Sequence, residues 1–199
     1  MNIFALSRCP VESARQMLDK HVVKMPTESC QMLHTNTLYF MFVAAHKREP
    51  TLKELKNFHK KSHFSYLMKP AMLNHPSTIW ARKTKANYMW LYNHAVELCK
   101  EYTFRYGKEH GSESRILDSL TFDVDDELTP VDIAMADIYR LPKEKHTWDF
   151  VIKSYRHYYL EGKWRFAYWR KNRRPSWYPS DWNRNKMMEA YECAKNVMD

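Results

Sequence analysis

The chain has 199 residues, 44% hydrophobic and 15% aromatic, enough for one sizeable core and against disorder over most of its length. Lysine and arginine outnumber aspartate and glutamate by 32 to 23, giving a net charge of +9 and a pI near 9.3, so nucleic acid is the expected partner if the charge clusters. Three glycines, Gly107, Gly111 and Gly162, leave no room for a phosphate-binding glycine loop or a dinucleotide fingerprint, which excludes the common ATP and NAD enzymes.

In chain order, an apolar start, "MNIFAL", leads into "PVESARQMLDKHVVKM". Pro10 stands where a helix tolerates proline, and Val11, Ala14, Leu18 and Val22 recur at helical spacing, so one helix is expected here. Pro26 should break or bend it, with Thr27 capping a second helix over "TESCQMLHTNTLYFMFVAAH". The apolar run "LYFMFVAA" at 38–45 falls far short of the ~20 residues of a spanning helix, and no membrane association is expected.

Residues 47–76 are polar, basic and bracketed by Pro50, Pro70 and Pro76, which predicts an inserted basic loop or lid with at most one short helix over 51–61. A long helical stretch follows from Ser77, stepped near Thr84 to Asn87 and closed by Gly107. An acidic stretch, "DVDDELTP", precedes an expected short helix at about 130–137, then a helix over "TWDFVIKSYRHYYLEG" and a final one over "RNKMMEAYECAKNVM". Sustained period-two alternation is nearly absent, so the expected fold is all-α, a single compact domain over 1–199.

Four segments carry chemistry. Residues 163–186 hold eight Lys or Arg against one acid, Asp181, with seven aromatics interleaved, the pattern of a DNA-contact surface; Arg170, Lys171, Arg173, Arg174, Trp177 and Tyr178 are its candidates. The alternative is that the rings pack inward with arginines solvating the outside. Lys60 and Lys61, between His59 and His63, suit phosphate better than a metal, since no third ligand accompanies the histidines and no metal is expected. Arg82, Lys83 and Lys85 offer further phosphate contacts or a solvated helix face. A nucleophilic pair of Cys30 with His21 or His34 competes with the commoner role of cysteine as a small buried hydrophobe. The four cysteines, Cys9, Cys30, Cys99 and Cys193, show no Cys-x-x-Cys spacing, and with no signal core at the start an intracellular, cytoplasmic protein with reduced thiols is expected. Lastly, His21, Lys24 and Glu28 lie at one-turn intervals, as either general acid–base groups or a surface salt-bridge row.

Three stretches resemble the small pyrimidine-dimer DNA glycosylases with lyase activity, the phage endonuclease V type. They are "MNIFAL" with "PVESARQMLDKH" and Glu28 beyond it, "NHPSTIWARKTKANYMWLYNHAVELCKEYTFRYG", and "RPSWY" at Arg174 to Tyr178. The resemblance implies an all-α fold acting on double-stranded DNA with a damaged or modified pyrimidine, as a monomer without cofactor. It also implies that the α-amino group of the first residue attacks the sugar C1′, expels the base through a Schiff base and then cleaves the strand by β-elimination. On that reading Met1 supplies the nitrogen, Glu28 the carboxylate and His21 a supporting contact, with Lys24 on the DNA face. Two departures stand out: Asn2 is large enough for Met1 to be retained, and Thr27 and Gln31 stand where the family has arginines flanking its glutamate. A phage-encoded relative in a host cytoplasm, acting on a modified base, is one consequence. The rivals are a base-modifying or base-transferring enzyme without strand cleavage, and a non-enzymatic basic DNA-binding protein.

Overall fold

A computed structural model of the chain describes residues 2–61, 63–64, 66–142 and 144–179. Met1, the end of the basic segment and the helix expected over 184–198 lie outside the described residues. The described residues form seven α-helices and three short 3-10 turns, with no strand among them, so the fold is all-α.

The first helix, α1 (Pro10–Arg15), is shorter than expected, and the break falls before Asp19 rather than at Pro26. Backbone groups at 15–19 are claimed from elsewhere: Arg105 donates to the carbonyls of Arg15 and Met17, Trp169 Nε1 to that of Gln16, and the Asp19 N–H reaches the Tyr168 carbonyl at 2.8 Å. The ladder of a continuous helix needs those same groups. α2 (Asp19–His46) then runs unbroken with Pro26 inside it. The turn around that proline is braced from outside, because His110 Nε2 donates to the Val23 carbonyl at 3.0 Å and Thr27 Oγ1 pairs with Ser112 Oγ at 3.1 Å. Thr27 is therefore a mid-helix residue, not a cap.

Residues 47–76 pack onto the second half of α2 rather than arching free of it. α3 (Leu52–Lys61) starts with a reciprocal cap in which Glu54 accepts from the Thr51 N–H and hydroxyl, both at 2.8 Å. Leu55, Leu67 and Leu73 close over Leu38 and Phe42 in a small separate core. α4 (Pro76–Lys83) and α5 (Lys85–Tyr106) meet at the expected step, where Thr84 Oγ1 accepts the Asn87 N–H, and Gly107 ends α5 at φ 69°.

The helix expected at 130–137 is replaced by extended chain and a single 3-10 turn, Asp137–Tyr139. Its backbone groups bond to side chains of other helices: Thr129 N–H to Asn87 Oδ1, the Thr129 carbonyl to Trp80 Nε1, and Ala134 N–H to the Tyr155 hydroxyl. In the acidic stretch before it, the Asp126 carboxylate accepts the Lys85 and Ala86 N–H groups, both at 2.7 Å, and so caps α5. α6 (Glu113–Leu117) follows α5, and α7 (Trp148–Gly162) is capped by Thr147, as its sequence predicts. The main core gathers Ile3 to Leu6, one face each of α1, α2, α4, α5 and α7, and Trp169 and Tyr178 of the terminal segment.

One buried ionic cluster ties these parts together. Arg105, 3% exposed, holds Glu101 Oε1 at 2.8 Å and Asp19 Oδ1 at 2.9 Å besides its two carbonyls. The Arg170 N–H reaches Asp19 Oδ1 at 3.1 Å, and Arg173 Nε lies 3.1 Å from Glu101 Oε1. Such a cluster adds little net stability over apolar packing, but losing one partner strands a buried charge at a cost of ~3–5 kcal/mol. Its geometric effect is to fasten the segment after α7 to the start of α2.

Candidate active site

Glu28 projects from the third turn of α2 with its side chain 17% exposed, and Lys24 Nζ, one turn earlier, lies 3.0 Å from Glu28 Oε1. The chain from Lys69 to Thr78 runs beside this face: Gln31 Nε2 donates to the Lys69 carbonyl, Thr35 Oγ1 to that of Ala71 and Asn36 Nδ2 to that of Thr78. Within it, His75 caps α4 by accepting the Ser77 N–H at Nδ1, 3.2 Å away, which leaves the proton of the neutral ring on Nε2. Partial burial lowers the His75 pKa, and the negative charge of Glu28 opposes that shift. A neutral imidazole N–H and a carboxylate thus share one neighbourhood. His75 belongs to the quoted "NHPSTIW" stretch but received no role from the sequence; a histidine directly before a proline at a helix start is the cue that marks it as a cap.

His21 is used differently. Its Nδ1 pairs with the Tyr159 hydroxyl at 2.7 Å, and its ring stacks on Phe4 with centroids 4.1 Å apart. Burial, with Lys163 and Lys24 adding to it, pushes its pKa down to about 3, so the ring is neutral near pH 7. The structure therefore brings Lys24 and Glu28 together and gives His21 to the chain's start, where Phe4 is held. Seven residues of helix separate His21 from Glu28, about 10.5 Å along the axis.

The basic segment follows neither sequence alternative completely. Trp164, Trp169 and Tyr178 are buried, and Trp177 packs on the core with Nε1 bonded to Gln16 Oε1 at 2.8 Å. Expected as DNA contacts, Trp177 and Tyr178 pack against Gln16 and the core; among the described residues of the segment, the ring left open is Tyr168, 64% exposed. The rings carry cations on their faces. Lys20 lies over Phe166 at 4.6 Å, Lys163 over Tyr158 at 4.5 Å, Arg165 over Trp164 at 5.3 Å, Arg170 over Tyr106 at 4.7 Å and Arg173 over Phe104 at 4.3 Å. Energetically significant pairs of this kind occur roughly once per 70–80 residues, so five around one segment are a concentration. Lys20, Lys24, Arg165, Arg170 and Tyr168 line, together with Asp19, a cleft of about 680 Å³ between the first turns of α2 and this segment, in which Lys24 pairs with Glu28 and Arg170 with Asp19. A second cleft of about 530 Å³ shares Arg165 and Tyr168 with it and adds Arg174. Lys171 is exposed nearby.

The remaining candidates scatter. Lys60 and Lys61 are exposed at the end of α3, against the far half of α2. Arg82, partly buried, donates to the Leu73 carbonyl at 2.7 Å and lies over the Tyr39 ring. Lys83 and Lys85 pair with Asp132 and Asp125 of the acidic stretch, at 2.8 and 2.9 Å. Cys30 sits buried 3.8 Å from the His34 ring, its thiol pushed up to about 12 by burial. His34 accepts the Met68 N–H at Nδ1 and donates from Nε2 to the Arg115 carbonyl, so it is no base for that thiol. Among the described residues, no three His, Cys, Asp or Glu side chains converge as metal ligands, and no helix is long and apolar enough to cross a membrane.

The described chain is thus all-α, with the partly buried Glu28 close enough to act electrostatically on the capping His75 and with Lys20 and Lys24 of the same helix in the cleft. The family model of the pyrimidine dimer DNA glycosylases matches residues 1–113, more than half of the 199, and the chain belongs to that family. Its class is therefore that of DNA glycosylases, acting on DNA with damaged pyrimidines. No curated protein and no solved structure matches it.

Proposed function

We propose that the chain removes a pyrimidine from duplex DNA through an imine formed by its own α-amino group, and nicks the strand at the resulting site. The amine of Met1 attacks C1′ as the glycosidic bond breaks with its electron pair leaving on the base, which takes up a proton; the C1′–O4′ bond of the resulting aminal then opens, O4′ leaving as a protonated hydroxyl, and the iminium so formed acidifies C2′. Loss of a C2′ proton then expels the 3′ phosphate. An α-amino group titrates near pH ~7.7–8.0, so a useful fraction is neutral and nucleophilic at physiological pH. Glu28 stabilises the cationic sugar and relays protons, and the cation-lined groove beside Lys24 carries the phosphates.

One observation carries this reading: α2 holds Glu28 and, two turns earlier, the His21 ring on which Phe4 stacks, so the carboxylate and the start of the chain are fixed to one rigid element. The substrate is narrowed by Thr27 and Gln31. Thr27 is occupied by Ser112 and Gln31 by the Lys69 carbonyl, and neither carries the charge of an arginine. A modified pyrimidine is therefore a substrate to assay beside the cyclobutane dimer. The test is release of base and strand scission on labelled duplexes containing a dimer, a modified pyrimidine or an abasic site, with Glu28→Gln run in parallel. The variant should bind all three duplexes and release no base. Equal release by variant and wild type removes Glu28 from the mechanism.

A further inference from the structure

Residues beyond the family-matched portion act on the start of the chain. Asn2 Nδ2 donates to the Ala134 carbonyl at 2.6 Å, the Tyr155 hydroxyl donates to Asn2 Oδ1 at 2.9 Å, and that hydroxyl accepts the Ala134 N–H at 3.2 Å. These three bonds close a ring that uses both ends of the Asn2 amide and both capacities of the Tyr155 hydroxyl. Aspartate at position 2 would lack the donor, and phenylalanine at 155 would leave Asn2 Oδ1 and the Ala134 N–H unpaired. α7 continues the hold along the segment: Arg156 donates twice to the Leu6 carbonyl, at 3.0 and 3.2 Å, and Tyr155 and Tyr159 set their rings edge-on to Phe4. On the other side, Ser13 Oγ bridges the Leu6 N–H and the Phe4 carbonyl.

A core strand needs no such fastening at its first residue. Ile3 to Leu6 are buried and would seat the segment by themselves, whereas Asn2 is half-buried and is the last side chain before the terminal amine. We infer that the Asn2–Tyr155–Ala134 ring is a positioning device for the amino terminus, with Asn2 and Tyr155 as positioning residues that set the direction from which the nucleophile approaches the sugar. The inference rests on the amine mechanism proposed above. It gives the non-helical segment at 131–136 and α7 a role in catalysis without contact to substrate. Misplacing a reacting atom by about 1 Å can cost ~100-fold in rate, so a loosened residue 2 slows chemistry while leaving binding intact.

The experiment measures single-turnover borohydride trapping on an abasic-site duplex, together with duplex affinity and melting temperature, for wild type, Tyr155→Phe, Asn2→Asp and Ile152→Ala. Ile152 lies on α7 but makes none of the bonds to residues 2–6 and reports general loosening of the helix. The expected result is trapping slowed about tenfold or more in Tyr155→Phe and Asn2→Asp at unchanged affinity, across the whole pH range, with Ile152→Ala lowering the melting temperature at wild-type trapping rate. Wild-type trapping rates in both ring variants, or an equal slowing in Ile152→Ala, overturn the positioning role alone. Absence of any trapped adduct with wild-type protein overturns the amine mechanism and the positioning role together.

Discussion

Residues 1–113, which match the family, and residues 114–179, which lie beyond the match, use the same kinds of side chain in opposite ways. In the first portion two of the groups read as chemistry stand at a helix surface, Glu28 at 17% and Lys24 at 69% exposed, while the third, His21, is buried. In the second, the aromatic side chains turn inward as braces. Tyr155 and Tyr159 are wholly buried against the chain's start, and Trp169 and Trp177 donate to Gln16 at the break before α2. The difference shows that a high aromatic content need not mean base-stacking faces. Here the rings fix backbone and lie under cations.

Several substitutions would break or sharpen that contrast. The largest effect is expected at Glu28, where Glu28→Gln should reduce single-turnover base release by about 10²–10⁴-fold, the usual range for a positioned proton-transfer group, at unchanged duplex affinity. Arg105→Met comes next. It strands Asp19 and Glu101 inside the cluster and should lower unfolding stability by ~3–5 kcal/mol in denaturant titration. The same change should expose the segment after α7 to limited proteolysis, since Asp19 and Glu101 also hold Arg170 and Arg173.

The groove gives a smaller and purely electrostatic signal. If Lys20 and Arg165 each neutralise one phosphate, Lys20→Gln with Arg165→Gln should flatten the dependence of log affinity on log salt by roughly 1.8 units. An unchanged slope would place the DNA elsewhere, with the exposed Lys60 and Lys61 the next pair to vary.

A further effect concerns acid. Burial pushes His21 and His94 down to about 3, and neither His94 nitrogen has a hydrogen-bond partner among the described residues. In the unfolded chain both bind protons near pH 6.5. Their contribution to stability is thus complete above about pH 6.5 and is lost as pH falls toward 3, by up to about 1.4 kcal/mol per unit for each ring. Replacing His94 with Leu should roughly halve that slope in pH-dependent melting and, by removing a buried unpaired polar group, raise stability near pH 7 by about 1 kcal/mol. A slope as steep as the wild type's would show that His94 finds a partner the folded chain does not supply.

The helices that could be read in advance were those whose ends are marked locally. Thr84 and Gly107 bound α5, and Thr147 starts α7, because a cap is a property of a few adjacent residues. The errors arose where distant side chains decide. Nothing near Gln16 announces that Arg105 and Trp169 will claim the carbonyls of residues 15–17, and nothing near Pro130 announces that Asn87 and Tyr155 will bond Thr129 before it and Ala134 after it. One-turn spacing made it legible that Lys24 and Glu28 share a helix face, where they form an ion pair. The partners of His21, Phe4 and Tyr159, come from the chain's start and from α7, which no spacing relates to it. The inward turn of Trp177 and Tyr178 was one of two arrangements the composition allowed, and only packing chooses between them.

The central claim is that the nucleophile is the α-amino group of the first residue, with Glu28 as its carboxylate. Borohydride reduction in the presence of an abasic-site duplex, followed by digestion and mass analysis of the DNA-linked peptide, tests it most directly. One adduct is expected, on the peptide that begins at Met1, abolished when the α-amine is blocked. An adduct on the peptide carrying Lys24, whose amine already lies 3.0 Å from Glu28, would contradict it and make that lysine the nucleophile.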